Sequence, residues 1–587
     1  MPSWPFLAGS LAAVVVGTFH AWRLRWITDD AWISFRYAER LVHGQGLTFN
    51  AGERVEGYSN FLWTLWCAAG IALGVRPDAW SVASGVACHA MTIALLAAFA
   101  WQRATAAARH AEAGDRTAGG QALRAAFPLA AVLVALHRDH AIFATSGLET
   151  SLFTLLAVAG FLLVLDAPGR PRRAAAAGFV LGLAALTRPD GVLFAAIALA
   201  YLIVVSRRRL RDGAAYLAPL ATLVVPFLAW KAVYYGDVLP NTYYAKSASR
   251  AWYSQGLTYI ALYFRKYWVL PLGAAACALA VIRPRGTRAK PSTGIDANAR
   301  VAPLWGRAAA LAAAFALSYT LYVAHVGGDF MYARLLIPAT PFWLILVQLA
   351  VERWVPARIP HQLVAAAALG LAVACTPYPF SGQGWARGIV NEWEFYTPRE
   401  RERAQVFGER LRTYFDGLPV RMAFCGGQAV LAYLSRAPVA IETATGLTDS
   451  TIAHQPLAKR GRIGHEKMTP IPYLIARGTH FWMYSGKALS DTLASYIPLV
   501  PLQFDTLTVM AMTWDPPVMD ALRARGVKMP DFLATLDQFI TAMPRVSDDQ
   551  VRVVYRKTQA FYFDHVRDPE REAPFRARLG LASGSDH

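Results

Sequence analysis

The stretch AWSVASGVACHAMTIALLAAFAW (79–101) contains no Lys, Arg, Asp or Glu, and it is long enough to cross a bilayer. A second such run is AAYLAPLATLVVPFLAW (214–230). Across the 587 residues, 55% are apolar and only 17% are charged, and the mean hydropathy is +0.30. Much of the chain must therefore lie in lipid, and the sequence predicts a multi-pass membrane protein.

Apolar runs predict about eleven membrane spans. They lie near 4–22, 80–101, 123–136, 151–165, 174–187, 191–205, 214–235, 268–282, 308–325, 335–351 and 362–377. The run NFLWTLWCAAGIALG (60–74) is short and rich in Trp and Phe, so we interpret it as an interfacial helix. The first run lacks a basic leader and a small-x-small cleavage site, which favours a retained span over a signal peptide.

Basic residues predict the orientation. If the N-terminus is cytoplasmic, the cytoplasmic loops contain RPRR (170–173), RRRLR (207–211) and RPRGTRAKP (283–291), as the positive-inside rule requires. Counting 60–74 as a span would put RRRLR outside. We therefore expect a cell-membrane protein, in bacteria an inner-membrane one, whose N-terminus is cytoplasmic and whose C-terminus is extracytoplasmic.

The pattern changes after residue 377, where long apolar runs end and charges return. VRMAFCGG (420–427), QAVLAYLS and APVAIETATGL (437–447) have the alternation typical of a strand, a helix and a strand. This predicts two domains: a membrane domain over 1–377, whose first outward loop is 23–79, and a soluble extracytoplasmic α/β domain over 378–587.

Several functional classes are excluded. The net charge is +19, but no basic stripe with interleaved aromatics or zinc-finger spacing accompanies it, so we expect no nucleic-acid partner. The five cysteines form no CxxC pair. Signatures of soluble nucleotide-binding proteins and hydrolases (GxxxxGK[ST], GxGxxG after a strand, HExxH, GxSxG) are also missing from the sequence.

Two adjacent carboxylates, Asp29 and Asp30, follow the first span. Helical spacing over 30–43 puts Ala31, Phe35, Ala38 and Val42 on one face and Asp30, Ser34 and Tyr37 on another. One aspartate would serve as a helix cap, but two exceed what capping needs. Further polar residues recur in the outward loops at the ends of spans: Glu56, Tyr58, Asn60, Glu149, Arg188, Asn241, Tyr244, Lys246, Asp329 and Arg334.

Each of these residues also has a structural explanation. Asp190 would cap a helix, and Glu149 would pair with Arg138. Together, however, they gather ionisable groups at one membrane face, which predicts an active site. Such a site has no cytosolic nucleotide, so its substrate would be a lipid-linked phosphate. Carboxylates would act as a general base or hold a divalent cation, and cations would neutralise the departing phosphate.

Several segments resemble the GT-C superfamily of membrane glycosyltransferases, most closely the mycobacterial terminal β-(1→2)-arabinofuranosyltransferase group. The longest is DDAWISFRYAERLVHGQGLTFNAGERVEGYSNFLW (29–63). The shorter ones are SGLETSLF (146–153), LTRPDG (186–191), LPNTYYAKS (239–247), GGDFMYARLLIPATP (327–341), GLTDSTIAHQ (446–455) and GRIGHEK (461–467).

The resemblance implies a GT-C fold, a polyprenyl-phosphate sugar donor carrying arabinofuranose, and an extracytoplasmic glycan, lipid or protein acceptor. It makes Asp29 or Asp30 the catalytic carboxylate and assigns the donor phosphate to Lys246. Charge and position add Arg334 and Arg188 for the phosphate and His465 and Lys467 for the substrate. A divalent cation such as Mg²⁺ or Mn²⁺, held by Asp29, Glu149 and Asp329, is an alternative that no ligand spacing demands.

Two other functions compete with this interpretation. One is a polyprenyl-phosphate-mannose type of protein or lipid glycosyltransferase with the same fold. The other is a transporter of lipid-linked sugars, which would be expected to show inverted repeats and polar groups near the membrane midplane. The sequence shows neither such a duplication nor such a distribution, so we favour the transferase.

Overall fold

The computed structural model describes residues 4–112, 127–282, 297–356, 358–380, 385–467, 469–484 and 487–581. The start of the third predicted span (123–126) and the basic linker 283–291 lie outside the described residues.

The chain up to residue 396 is mostly helical. Its helices are α1 (Trp4–Arg23), α2 (Asp29–Val42), α3 (Phe61–Ala72), α4 (Pro77–Glu112), α5 (Leu129–Leu136), α6 (Arg138–Ala144), α7 (Thr150–Leu165), α8 (Pro171–Thr187), α9 (Gly191–Val205), α10 (Arg209–Tyr235), α11 (Asn241–Ala245), α12 (Tyr253–Lys266), α13 (Val269–Ile282), α14 (Ala297–Val326), α15 (Thr340–Trp354), α16 (Ile359–Cys375) and α17 (Glu392–Phe395). A 3₁₀ turn, Arg334–Ala339, precedes α15, and strands β1 (Trp385–Ala386) and β2 (Ile389–Val390) precede α17.

Each predicted span coincides with a helix, at least over the residues that the structure describes. Within that part of the chain, five helical segments are long and apolar enough to cross a membrane: Trp4–Arg23, Pro77–Thr105, Arg209–Tyr235, Trp305–Val326 and Arg334–Trp354. The pair α12 and α13, bent by 88°, forms a sixth candidate, whereas α3, α7, α9 and α16 are apolar but shorter. The protein is a multi-pass membrane protein, and the number eleven stays a prediction.

Small residues let these helices approach closely, as is common in membrane proteins. A Cβ atom added to Gly178 of α8 would lie 1.9 Å from the carbonyl oxygen of Tyr216 on α10. Phe194 of α9 packs against Tyr319 of α14 with ring centroids 5.0 Å apart, and against Phe342 of α15 at 5.5 Å. This aromatic core supports the polar cluster described below.

Beyond residue 396 helices and strands alternate. The helices are α18 (Pro398–Phe415), α19 (Ala429–Leu434), α20 (Ser450–Ala453), α21 (Ile471–Ala476), α22 (Lys487–Leu493), α23 (Pro516–Ala524), α24 (Phe532–Ala542), α25 (Asp548–Thr558) and α26 (Pro569–Leu579), with a 3₁₀ turn at Met543–Arg545 and a π-helical turn at Gln559–Phe563. The strands are β3 (Arg421–Phe424), β4 (Val439–Glu442), β5 (Phe481–Trp482), β6 (Pro501–Phe504) and β7 (Leu507–Met510). The order β4-β3-β5 is parallel, and β6 and β7 form an antiparallel pair. The predicted strand, helix and strand over 420–447 are thus β3, α19 and β4.

The chain forms two compact units. The first contains 1–42, 59–239 and 248–396, and the second contains 43–58, 240–247 and 397–587. The prediction of separate domains at 1–377 and 378–587 remains a prediction. In the second unit, two segments from predicted outward loops, 43–58 and 240–247, join the C-terminal region.

Hydrogen bonds hold these two segments within the second unit. Oδ1 of Asn50 accepts the backbone N–H of Ala440 at 2.8 Å, which covers one side of β4. The side-chain amide of Asn241 donates to the carbonyl oxygens of Gly446 and Leu447, each at 2.9 Å. Residues 43–58 of the first predicted outward loop and residues 240–247 are therefore structural components of the α/β unit.

Candidate active site

Helix α2 begins at Asp29, and its first turn carries both aspartates. The positive end of the helix dipole favours carboxylates at this position. Both predicted faces of this helix are covered near its start: Ser34 and Tyr37 are buried, as are Ala31 and Phe35, whereas Val42 is 39% exposed. The first half of α2 is surrounded by protein, so the polar residue that follows Asp30 by one turn, Ser34, needs internal partners.

Arg334 is the cation around which acidic residues gather. Its Nη1 lies 3.3 Å from Oδ2 of Asp30 and 3.5 Å from Oδ2 of Asp329. Its Nη2 lies 3.8 Å from Oε1 of Glu149. The side chain of Arg334 is only 12% exposed, so these charges interact more strongly than they would in water. Its Nε is buried and has no hydrogen-bond acceptor among the described residues.

A tight loop brings Asp329 and Arg334 together. Gly328 has φ +77°, and a Cβ atom there would lie 2.5 Å from the ring of Tyr259, so only glycine fits. Ala333 also has a positive φ of 65°, which is uncommon for a residue with a side chain and costs conformational energy. The segment GGDFMYAR (327–334) thus makes a tight loop that ends at Arg334, the first residue of the 3₁₀ turn.

Glu149 links Arg334 to α2. Its Oε1 accepts a hydrogen bond from Nη1 of Arg188 at 3.0 Å, and its Oε2 accepts one from the amide of Asn60 at 2.9 Å. Asn60 also exchanges hydrogen bonds with the hydroxyl of Ser34. Burial by itself would raise the pKa of Glu149, but Arg188, Arg334 and Asn60 outweigh burial and hold this pKa below its ordinary value. Glu149 is therefore ionised at neutral pH.

Arg188 is already engaged by two carboxylates. Besides Glu149, it forms a two-pronged ion pair with Asp190, with distances of 3.0 and 2.8 Å. Asp190 in turn accepts the hydroxyl of Tyr319 at 2.6 Å. Asp190 makes no side-chain cap bond to α9, and Arg138 pairs with Glu394 at 3.4 Å, so both structural explanations offered above are wrong. Arg188 is thus a close partner of Glu149 and Asp190, whereas Arg334 lies at longer distances, 3.3 to 3.8 Å, from its carboxylates.

Glu392, in α17, is a buried acid that the sequence analysis missed. Its Oε2 accepts the hydroxyl of Thr28 at 2.9 Å, one residue before Asp29. Burial raises the pKa of Glu392 to about 8, and the charges of Asp30, Asp29 and Asp329 add to this rise, while the hydrogen bond from Thr28 opposes it. Glu392 is therefore mostly a neutral carboxylic acid at pH 7.

Backbone pairing brings Glu392 to this site. The N–H of Val390 donates to the carbonyl of Phe330 at 2.7 Å, and the N–H of Tyr332 donates to the carbonyl of Val390 at 2.8 Å. Strand β2 thus joins the loop that carries Asp329 and Arg334. The only signal in the sequence was the pair of acids in NEWEF (391–395), which we had assigned to the C-terminal domain.

The residues do not fit a divalent cation. Both oxygens of Glu149 accept hydrogen bonds from Arg188 and Asn60. Oδ1 of Asp329 accepts the N–H of Phe330, and its Oδ2 faces Arg334. Over the residues that the structure describes, no group of three or more His, Cys, Asp or Glu side chains is arranged to hold a metal ion. Two of the three predicted ligands, Glu149 and Asp329, are thus already engaged by guanidinium groups.

The remaining predicted residues belong to the second unit: Glu56, Tyr58, Asn241, Tyr244, Lys246, His465 and Lys467. The N–H of Asn241 donates to the carbonyl of Glu56 at 2.9 Å, and Tyr58 is buried. Tyr244 stacks on His454 with ring centroids 4.0 Å apart. The ammonium of Lys467 donates to the carbonyl of Gln455. Lys467 is thus a structural donor within its own unit.

Lys246 and His465 differ in how far they are engaged. Lys246 follows α11, and its ammonium group forms no hydrogen bond or ion pair within the described residues. Nδ1 of His465 lies 3.2 Å from the carbonyl oxygen of Ile463, and a Cβ on Gly426 would lie 2.9 Å from its Nε2.

The first unit brings six of the predicted residues together in one cluster: Asp30, Asn60, Glu149, Arg188, Asp329 and Arg334.

The fold is the GT-C fold, which solved structures of ArnT share. The crystal structure of ArnT from Cupriavidus metallidurans bound to undecaprenyl phosphate matches with a TM-score of 0.54, covering 86% of this chain and 98% of that chain at 13% identity. Its apo structure matches with a TM-score of 0.52. At this identity the likeness concerns the fold.

By sequence, the chain is a homologue of proteins named terminal β-(1→2)-arabinofuranosyltransferase. The one from Mycobacterium tuberculosis is 30% identical over 60% of this chain and 56% of its own length. The one from Corynebacterium glutamicum is 26% identical over 88% of this chain and 84% of its own length. The match thus spans little more than half of the mycobacterial relative. No protein-family model matches the chain.

Proposed function

We propose that this protein transfers arabinofuranose from a polyprenyl-phosphate donor to an extracytoplasmic glycan. The observation that carries the proposal is the buried cluster of Arg334 with Asp30, Asp329 and Glu149 at the N-terminus of α2, in a GT-C fold. The names of the two homologues support the sugar. The undecaprenyl phosphate bound to ArnT supports the class of donor.

The first turn of α2 supplies the reacting carboxylate. In the transfer, the bond between the anomeric carbon and the phosphate oxygen breaks, and its electron pair leaves with the phosphate. The acceptor oxygen bonds to the anomeric carbon, and its proton passes to a carboxylate. Asp29 is our first choice for this role. Asp30, whose side chain is 28% exposed and which contacts Arg334, is the alternative.

Arg334 counters the negative charge that develops on the departing phosphate. A guanidinium forms strong, charge-assisted hydrogen bonds to phosphate oxygens, and a fixed cation in a buried site needs little reorganisation during the reaction. Its buried Nε has no acceptor among the described residues, which leaves one donor for a ligand. Glu149, held ionised by Arg188 and Asn60, keeps the guanidinium in position.

We expect the cluster to face the extracytoplasmic side of the cell membrane, with the N-terminus in the cytoplasm. The basic loops 170–173 and 207–211 support this orientation. The test is a C-terminal fusion to alkaline phosphatase, which is active only outside the cytoplasm. An inactive fusion, together with an active cytoplasmic reporter at the same position, would contradict the orientation.

The proposal is tested with membranes that contain the protein and a panel of radiolabelled polyprenyl-phosphate sugars. We expect label from the arabinofuranose donor to enter an extracytoplasmic glycan, and membranes without the protein to show no such transfer. Label entering a protein or lipid from a mannose donor alone would instead assign the chain to the mannosyltransferase type.

Lys246 gives a prediction for donor binding. Because its ammonium group is unengaged within the described residues, replacing Lys246 by Ala should cost little stability. If it binds the donor phosphate, the KM for the donor should rise by about tenfold or more, as expected when one charged hydrogen bond is lost. Steady-state kinetics with varied donor measure this.

The matched control for Lys246 is Lys459→Ala, which removes an exposed lysine of the same unit. Its KM should equal that of the wild type. Equal KM values for both variants would remove Lys246 from the donor site.

A further inference from the structure

We propose that Glu392 is a positioning residue of this site, whose neutral carboxyl group holds Thr28 and thereby the first turn of α2. The inference rests on the proposed function, because it assigns Glu392 to the same transfer reaction. It follows from four observations: the contact with Thr28, the anchoring of α17, the burial of Glu392 and the charges that surround it.

Thr28 is held at three points. Its N–H donates to the carbonyl of Ser146 at 3.0 Å, its carbonyl accepts the N–H of Ala31 at 3.2 Å, and its hydroxyl donates to Glu392. Only 1% of Thr28 is exposed. Since Asp29 follows directly in the chain, the contact with Glu392 sets where the first turn of α2 begins.

Helix α17 is itself firmly anchored. The indole N–H of Trp393 donates to the carbonyl of Leu24 at 2.9 Å, and Glu394 pairs with Arg138 at 3.4 Å. On the other side, Val390 exchanges two backbone hydrogen bonds with the loop after Asp329. Glu392 is thus held between the segment that precedes α2 and the loop that carries Arg334. A displacement of Glu392 would therefore also displace the first turn of α2. A shift of about 1 Å at a reacting group can lower a rate about a hundredfold.

The charges around Glu392 favour its neutral form. Asp29 and Asp30 act on it from α2, and Asp329 acts on it from the loop. The cation of the cluster, Arg334, is already shared by Asp30, Glu149 and Asp329. A further negative charge would therefore be poorly compensated.

Ionisation of Glu392 would add a negative charge beside the catalytic carboxylates and the donor phosphate. We therefore expect transfer by the wild type to decline as the pH rises through about 8, the pKa of the buried carboxyl. In Glu392→Gln an amide of the same shape accepts the hydrogen bond from Thr28 but cannot ionise. This variant should retain activity at pH 7 and lose the decline above pH 8.

The kinetic test measures turnover and KM between pH 6 and 9.5 for the full-length protein in membranes, with polyprenyl-phosphate arabinofuranose as donor. Glu392→Ala and Thr28→Val should each lower turnover by about tenfold or more without raising the KM for the donor. The control Glu394→Gln, in the same short helix, should keep the wild-type decline. A Glu392→Gln variant that shows this decline as well would overturn the proposal.

A second measurement does not depend on transfer. In the folded protein Glu392 keeps its proton up to about pH 8, whereas an unfolded Glu loses it near pH 4.5. The folded protein therefore binds one more proton than the unfolded chain in this window, and the contribution of Glu392 to stability falls as the pH rises from about 4.5 to about 8. The unfolding temperature of the wild type should drop relative to that of Glu392→Gln across this range.

The two measurements separate the two proposals. The unfolding temperature of the wild type could drop relative to that of Glu392→Gln while no sugar donor supports transfer. That result would support a neutral Glu392 and contradict the proposed transfer reaction. A constant difference in unfolding temperature from pH 4.5 to 8 would overturn the assignment of Glu392, whatever the donor panel shows.

Discussion

Replacing Asp29 and Asp30 together by Asn is expected to lower sugar transfer by about a thousandfold. A positioned general base typically contributes about 10²–10⁴-fold to a rate, and Asn keeps the size of Asp but cannot take the proton of the acceptor. Both residues lie in the first turn of α2 and are only partly buried, so folding should change little. Transfer of radiolabel in membranes, normalised to the amount of protein, measures the effect.

A surface carboxylate provides the control for the double variant. Asp166 follows α7 and pairs with Arg173 at 2.7 Å, with 37% of its side chain exposed. Asp166→Asn should transfer sugar at the wild-type rate. If the Asp29→Asn, Asp30→Asn double variant also does so, the two carboxylates only stabilise the start of α2 through the helix dipole, and the proposed mechanism fails.

Replacing Arg334 by Ala is expected to abolish transfer and also to destabilise the protein by about 3–5 kcal/mol. Removing one member of a buried charge cluster leaves the others without compensation, and here Asp30, Asp329 and Glu149 would all lose a shared cation. The loss of stability should be smaller at low pH, because protonation removes the uncompensated charges. Thermal unfolding of the purified protein in detergent at two pH values measures it.

Two further variants serve as comparisons for Arg334→Ala. Arg76→Ala removes an exposed arginine, 70% accessible and paired with Asp78, and should change stability by less than about 1 kcal/mol. Arg334→Lys keeps the charge but loses the planar fork that reaches several carboxylates, so its stability should be intermediate. An Arg334→Ala variant as stable as the wild type would show that the three acids do not depend on this guanidinium.

Several features of the site were predictable because they depend on local sequence. The two aspartates after an apolar run predicted polar groups at the start of a helix, and α2 does begin at Asp29. Asp329 and Arg334 were predicted as an acid and a cation close together before the tenth span, and they lie in one short loop in which Gly328 and Ala333 have positive φ angles. The partners of Glu149 were not predictable. It faces Arg188 and Arg334, 39 and 185 positions away in the sequence, instead of the nearby Arg138.

The role of the polar loop segments could not be predicted from the sequence either. Residues 43–58 and 240–247 looked like parts of one site-forming face, because both are polar and adjoin apolar runs. In the structure they belong to the α/β unit, where Asn50 and Asn241 satisfy backbone groups around β4 and the turn after it. Polar content predicts that a side chain needs a partner, but it does not say whether the partner is a substrate or a peptide group.

The sequence by itself determined the membrane class, the helices at each predicted span and the strand, helix and strand of β3, α19 and β4. Apolar length and periodicity are properties of neighbouring residues, so they can be read along the chain. Only the tertiary structure decided that Asp30 meets Arg334, 304 positions later, and that Glu392 is a buried acid whose pKa is raised. Ion pairs and protonation states depend on burial and on charges close in space, and the fold alone brings those charges together.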